Sequence, residues 1–304
     1  MGVQKEVWVD DIIGGLYKES PFLEKSVNDD AYVINGAVVH IPQAGAASGV
    51  VKNRTSLPAA VIKRTDTDVV YTLDEFTTNP RLIPHIDTIQ LSYDKRQSVI
   101  SEDQATLNEL VADWVLRYWA PTGAAQLLRT LGAARPGEAN ATVTGNRKKF
   151  SKESILALQK KMNKQKISKT GRCLLLPSEF LSDLEEDIDL MKRDNSKELD
   201  LENGIVKRLY GFEIYERASV LTYNAAGVPV VKDPGSAEAA TDNAAALAWH
   251  PSVVARALGT VKMYDSVDNP LYFGDIYSFL LMAGGRQRRA DGVGIFAVVE
   301  DSAA

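Results

Sequence analysis

Ser101–Trp119, SEDQATLNELVADWVLRYW, constrains this chain more than any other stretch. Ser101 is followed three residues later by Gln104, the capping-box signature of a helix start. Leu107, Leu110, Val111, Trp114, Val115 and Tyr118 recur at three- and four-residue steps, which sets them on one helical face. Pro121 and Gly123 end the helix. With Trp119 at its edge, that aromatic-bearing face must bury against something large. The residues before the helix read as extended arms and hairpins, and those after it as a mixed α+β domain.

Met1–Asp30 carries Val7, Trp8, Ile12, Ile13, Leu16, Phe22 and Leu23 without sustained helical period. Two readings stand: a short helix and loop on the same subunit, or an arm that buries these residues on a neighbour. Ala31–Ile41 reads as a hairpin, with Asn35-Gly36 fitting a type I′ turn and Pro42 stopping it. Gln43–Leu57 is a polar, small-residue tip bearing Lys52 and Arg54. Ala59–Lys63 and Asp68–Leu73 read as a second strand pair, and Ile86–Leu91 as a strand leading into the helix. Such strands bury too little alone and suit an arm completed in an assembly.

After the long helix, Thr122–Leu131 reads as a short helix and Gly132–Gly145 as a loop. Ser151 caps a helix bearing Ile155, Leu156, Leu158 and Met162. Arg172–Leu176 is a buried-strand run, and Pro177-Ser178 opens a helix with Phe180, Leu181, Leu184, Ile188 and Met191 on one face. Asn203–Ala218 reads as two strands about a Tyr210-Gly211 turn. Asn224–Ala246 reads as a loop around a short Val228–Val231 strand, and Leu247–Trp249 leads into the His250-Pro251 turn. Ser252–Leu258 reads as a short helix, and Thr260–Val267, Ile276–Met282 and Val293–Val299 as closing strands.

Chemistry is sparse. His40, His85 and His250 sit in separate strand or turn contexts, none with a second ligand at metal spacing. The single cysteine, Cys173, excludes an intrachain disulfide and a cysteine zinc cluster, and its Cys-Leu-Leu-Leu setting reads as buried strand. Nucleophile elbow, phosphate loop and dinucleotide fingerprint are all missing. No cofactor and no metal are expected. The start MGVQKEVWVDD lacks the basic region and apolar core of a signal peptide, and no apolar run approaches the ~20 residues of a membrane span. Use in a reducing cytosol, or assembly there, is the expectation.

Net charge is −5, so no global basic signal points to nucleic acid. Charge is instead segregated. Arg147, Lys148, Lys149, Lys152, Lys160, Lys161, Lys164, Lys166, Lys169 and Arg172 stand against Glu153 alone. From Glu179 to Glu202 acids dominate, including Asp183, Glu186, Asp187 and Asp189. A solvated helix face is the plain reading of the acids, and a solvated or partner-facing surface that of the bases. In a ring of identical subunits, Lys160, Lys161 and Lys164 of one copy would face Asp183, Glu186 and Asp187 of the next.

The order β-arm, long helix, mixed domain, terminal strands resembles the Hong Kong 97-like major capsid proteins of tailed phages. So do NGIVKRLYGFEIYERASV after RCLLLPSEFLSDLEE, and the ending from AWHPSVVARALG to GGRQRRADGVGIFAVVE. The resemblance implies an α+β fold with an N-terminal arm at 1–30 and an extended β-loop at 31–75 lying over a neighbour. It implies a peripheral domain at 76–150 and 250–304 with a spine helix at 101–119, and an axial domain at 151–249. It further implies a virion shell of pentamers and hexamers, assembled in the host cytoplasm. That shell encloses double-stranded DNA without sequence-specific binding or membrane. A separate scaffolding protein and a portal are the implied partners, and whether a decoration protein binds is left open. Lys52 and Lys63 lie where some members crosslink, but no acceptor is identifiable. The rival implied by the same fold is an encapsulin-type compartment shell; an enzyme, the rival of another class, lacks its constellation.

Overall fold

The structure, a computed structural model, describes residues 15–16, 20–34, 37–43, 52–55, 58, 61, 63, 67–84, 95–186, 199–200, 205–206, 208–289 and 291–303. The expected strand at 86–91, the Asn35-Gly36 turn, His85 and Asp187 lie outside them.

The long helix spans Lys95–Trp119. It begins upstream of Ser101 because Lys95, Arg96 and Gln97 are good helix formers with no breaker between them and the apolar stripe. Ser101 and Gln104 therefore lie inside the helix and do not cap it. Leu107, Val111, Val115, Leu116 and Trp119 are buried, whereas Leu110, expected on the same face, is exposed. The C-terminal carbonyls of Trp119 and Ala120 are capped by the Gln287 amide, at 3.0 and 2.8 Å.

Two main sheets receive this helix. The first has five strands in the order Val27–Asn28, Val254–Asn269, Gly274–Gln287, with Asp74–Thr77 and Arg81–Pro84 both pairing the last of these. Its backbone is one long hairpin, antiparallel from Val254↔Gln287 to Asn269↔Gly274, with a bulge between Leu258 and Val261. The expected helix at Ser252–Leu258 is instead a single 3-10 turn, Pro251–Val253, followed at once by strand. The β-branched pair Val253-Val254 favours extension over helix. Likewise Thr122–Leu131 is a 3-10 turn at Ala124–Gln126 and then a strand, Leu127–Arg129.

The second sheet has the order Arg208–Leu209, Phe212–Arg217, Arg172–Pro177, Asn243–Trp249, Ile295–Val299, Leu127–Arg129, with Leu221–Tyr223 beside Asn243–Trp249. Its central strands are buried on both faces, which accounts for their continuous apolar runs. Leu174, Leu176, Ala246, Phe296 and Val298 face the helices Lys152–Lys164 and Ser178–Glu185. Cys173, Leu175, Leu247, Trp249, Ile295 and Ala297 face the core that holds the long helix. Of the three closing strands, the last thus joins this second sheet and not the long hairpin.

A third, smaller sheet holds Val33–Ile34, Val38–Gln43 and Thr67–Thr72. Its ladder continues through Pro42↔Asp68 to Gln43↔Thr67, so Pro42 does not stop the strand. Val33–Ile34 pairs only as far as Val39, so among the described residues no strand faces the far side of Pro42, and the missing N–H breaks no ladder bond there.

Candidate assembly surfaces

Lys160, Lys161 and Lys164 are exposed on the helix Lys152–Lys164, and Lys52 and Arg54 are exposed in the loop of the small sheet. Of their expected acidic counterparts, Asp183 and Glu186 are engaged within the subunit, and Asp187 lies outside the described residues. Asp183 is buried: its Oδ2 accepts from the Arg135 Nε at 3.0 Å and from the Phe150 N–H at 2.9 Å. Glu186 pairs within the subunit with Lys149. The sequence reading of Asp183 as part of a solvated face fails because helix spacing cannot reveal a cation supplied from Arg135.

Arg135 is the centre of a buried cluster. Its Nη2 donates to Glu300 Oε1 at 2.8 Å, and Glu300 Oε2 accepts the Ala244 N–H at 3.0 Å. Burial holds the Glu300 carboxyl above the usual carboxylate range, against the Ala244 N–H and the Arg135 and Arg147 charges. Beside it, Arg147 donates to Asn243 at 2.7 Å. These groups tie the strands Ala134–Pro136 and Asn146–Lys148 to the second sheet.

A cavity of about 360 Å³ opens between the long helix and residues 219–242. Three ion pairs stand at its wall, Arg117 with Asp233 at 2.8 Å, Lys232 with Asp242 at 2.6 Å, and Asp113 with Arg217, and Glu238 lines it as well. Among the described residues no group of three His, Cys, Asp or Glu stands ready for a metal ion. His250 is a structural residue. Its Nδ1 accepts from the Ser252 N–H at 3.3 Å, and its Nε2 lies 3.2 Å from the Thr170 carbonyl, which requires the proton on Nε2. Cys173 is fully buried, and burial pushes its thiol up to about 12.

The tip of the long hairpin is the surface that sequence reasoning missed. Leu271 is 81% and Phe273 79% exposed, and Tyr264, Val267, Tyr272 and Leu82 are exposed around them. Apolar side chains cluster here at the water-facing end of a hairpin, which marks an interaction site. The tip is rigidly built. The Leu271 N–H donates to Asn269 Oδ1 at 3.0 Å, the Phe273 N–H to the Asn269 carbonyl at 2.9 Å, and the Asp268 N–H to Asp275 Oδ1 at 2.9 Å. Asp268 and Phe273 hold φ of 54° and 49°, a strain that non-glycine residues keep only where surroundings fix it. Next to the tip, strand Val254–Asn269 has an outer neighbour among the described residues only at Ala255 and Arg256. Among the described residues its distal edge has no partner strand, and it carries a single lysine, Lys262, and no proline to blunt it.

No protein-family model and no curated protein matches the chain. Solved structures do. The capsid of cyanophage P-SCSP1u is similar with a TM-score of 0.61 and 17% identity, over 92% of this chain and 86% of that one. Mycobacterium phage Che8 is similar with a TM-score of 0.56 and 19% identity, over 90% and 88%. The virus-like particle from Pyrococcus furiosus is similar with a TM-score of 0.55 and 10% identity, over 97% and 99%. The fold is that of a viral capsid subunit. More narrowly, it is the Hong Kong 97-like α+β fold of tailed-phage capsids.

Proposed function

We propose that this chain is the major capsid protein of a tailed bacteriophage, a structural protein and not an enzyme. It self-assembles into pentamers and hexamers of an icosahedral shell around double-stranded DNA, in the host cytoplasm. The observation that carries the reading, beside the fold, is the rigid apolar tip Leu271–Phe273 and, next to it, an edge with no partner strand among the described residues. A lone soluble subunit gains nothing from exposing these groups, whereas a shell subunit buries them against its neighbours. The long helix and long hairpin form the peripheral domain, the second sheet and its two helices the axial domain, and the small sheet the β-loop. Strand Ile295–Val299 goes with the axial sheet, on its pairing. Lys52 and Arg54 serve as charged contacts of the β-loop. A scaffolding protein and a portal are the partners of such a shell.

A second reading rests on the virus-like particle from Pyrococcus furiosus, which matches over 97% of this chain and 99% of that one. In that reading the shell is a compartment with protein cargo. Negative-stain microscopy of the expressed protein tests both. Closed isometric particles support a shell, and particles that enclose protein and never nucleic acid move it to the compartment reading. A protein that stays monomeric at all concentrations and salts overturns both.

A further inference from the structure

The basic stretch divides in two. Arg147, Lys148, Lys149 and Arg172 are engaged inside the subunit, with Asn243, Asp301, Glu186 and Asn163 respectively. Lys160, Lys161, Lys164, Lys166 and Lys169 are exposed and make no ion pair among the described residues. All five sit at the end of one helix and in the turn after it.

That turn is held rigid from beneath. The buried Arg172 donates through Nε to the Ser168 carbonyl at 2.8 Å, and through Nη2 to the Ile167 carbonyl at 2.8 Å and Asn163 Oδ1 at 2.9 Å. Gln165 Oε1 accepts the Gly294 N–H at 2.8 Å, and Lys166 takes a positive φ of 58°. A buried arginine thus spends its donors on shaping a platform for five other cations, although like charges so close repel one another. Lys161 and Lys164 complement the helix dipole; Lys160, Lys166 and Lys169 have no such local reason.

The surroundings select the ligand. Among the described residues no large hydrophobic side chain is exposed between Leu131 and Val228. A protein–protein interface needs an apolar centre, and the described residues of this stretch offer none. Of the expected acidic partners among the described residues, Asp183 is buried and Glu186 is bound to Lys149, so neither is free to meet it. Lysines without aromatic platforms or arginine forks suit phosphate backbone, which they contact as point charges without reading bases.

We propose that the platform Lys160–Lys169 is a sequence-independent binding site for nucleic-acid phosphates. It takes the duplex that the shell encloses, so this end of the subunit faces the interior. The proposal rests on the shell reading for its ligand. An overall charge of −5 then leaves the contact local: a duplex is touched by a few lysines per subunit and repelled elsewhere.

The test uses the full chain and a short fluorescent DNA duplex of random sequence, titrated across about 50–200 mM salt. The variant Lys160→Gln/Lys161→Gln/Lys164→Gln should bind about tenfold or more weakly at low salt. Its log–log salt slope should shrink by about 0.9 for each phosphate that the variant no longer neutralises. Circular dichroism melting should match the wild type, since exposed lysine substitutions rarely move stability by more than about 0.5 kcal/mol. Lys52→Gln/Arg54→Gln should leave affinity and slope unchanged. Equal weakening by that control overturns the site, because charge and not place would then decide. Wild-type DNA binding by the triple variant overturns it too, and if particle assembly is lost at the same time the lysines face an acidic protein instead. Should wild-type protein form no shell while the triple variant still loses DNA binding, the shell reading fails and the phosphate site stands.

Discussion

The indole of Trp119, at the end of the long helix, lies against that of Trp249, at the end of strand Asn243–Trp249, with ring centroids 5.7 Å apart. Trp119 Nε1 donates to the Ala255 carbonyl at 2.9 Å, and Trp249 Nε1 to the Lys25 carbonyl at 2.8 Å. One aromatic pair thus joins the helix, both main sheets and the N-terminal segment. Gly285 leaves the room: a Cβ there would stand 3.0 Å from Trp119 Nε1.

Trp119→Ala should therefore destabilise the subunit by about 3–5 kcal/mol. Trp119→Phe, which keeps an aromatic ring but loses the Ala255 bond, should cost less. Urea unfolding followed by tryptophan fluorescence measures both. Equal stability of the alanine variant would show that the two sheets fold independently of this aromatic pair.

Much of this core is legible in the sequence, and the exceptions have physical causes. Cys173–Leu176 declares itself as a strand because it is buried on both faces and so apolar at every position. Its neighbour Asn243–Trp249 is buried just as fully, yet NAAALAW reads as loop. Alanine has little strand propensity, and only helices packed close on both faces make small side chains the right choice. The hairpin tip DNPLYFGD hides for the opposite reason: its leucine and aromatics read as burial, and nothing local says that they face water. Asp183 is misread because its partner lies at Arg135, beyond any local pattern.

Glu300 gives a pH signature. Its carboxyl is raised in the folded chain, so the native state holds the proton more tightly than the unfolded one does. Asp113 and Asp29 shift the same way, both chiefly through burial. The stability these groups contribute is full below the ordinary carboxylate value, about 4.3, and is lost as pH rises through the raised native values. Glu300→Gln keeps an acceptor for the Ala244 N–H and removes one proton equilibrium. Its urea midpoint should fall less steeply than the wild type's as pH rises from about 4 toward neutrality. An identical slope in both proteins would exclude Glu300 as a source.

Cys173 should be chemically silent. The thiol is fully buried and raised to about 12, so at neutral pH almost no thiolate exists in the folded chain. A thiol reagent such as DTNB should react only as fast as the protein unfolds, and stoichiometrically in denaturant. Rapid reaction of the native subunit would contradict the burial.

Leu271→Asp and Phe273→Asp test the hairpin tip. Both side chains stand in water, so stability should change by no more than about 0.5 kcal/mol. Assembly should fail, because a carboxylate placed in a contact meant to exclude water must be desolvated. Sedimentation should show discrete subunits or capsomers and no shells. Particles of normal yield from either variant would mean that the tip stays solvated in the assembly.

The β-loop makes the last test. Its root is fixed to the body: Val39, Leu73 and Ala257 form a small buried cluster, and Arg286 Nη1 donates to the Val70 carbonyl at 2.6 Å. Val61 is 98% exposed, and Lys52 and Arg54 stand in solvent. Side chains exposed like these add little to a subunit's stability. Deleting Gln43–Leu57 should thus leave a body with a near-normal melting transition. On the shell reading, the same deletion should block shell closure, because the loop is then a contact with a neighbouring subunit. Lys52→Glu/Arg54→Glu, which leaves the backbone whole, should slow closure in the same direction and more so at low salt, where charges act over about 10 Å or more. Closed particles of normal size from the deleted protein would sink the assignment, and normal closure by the charge-reversed variant would confine the loop's contribution to its apolar residues.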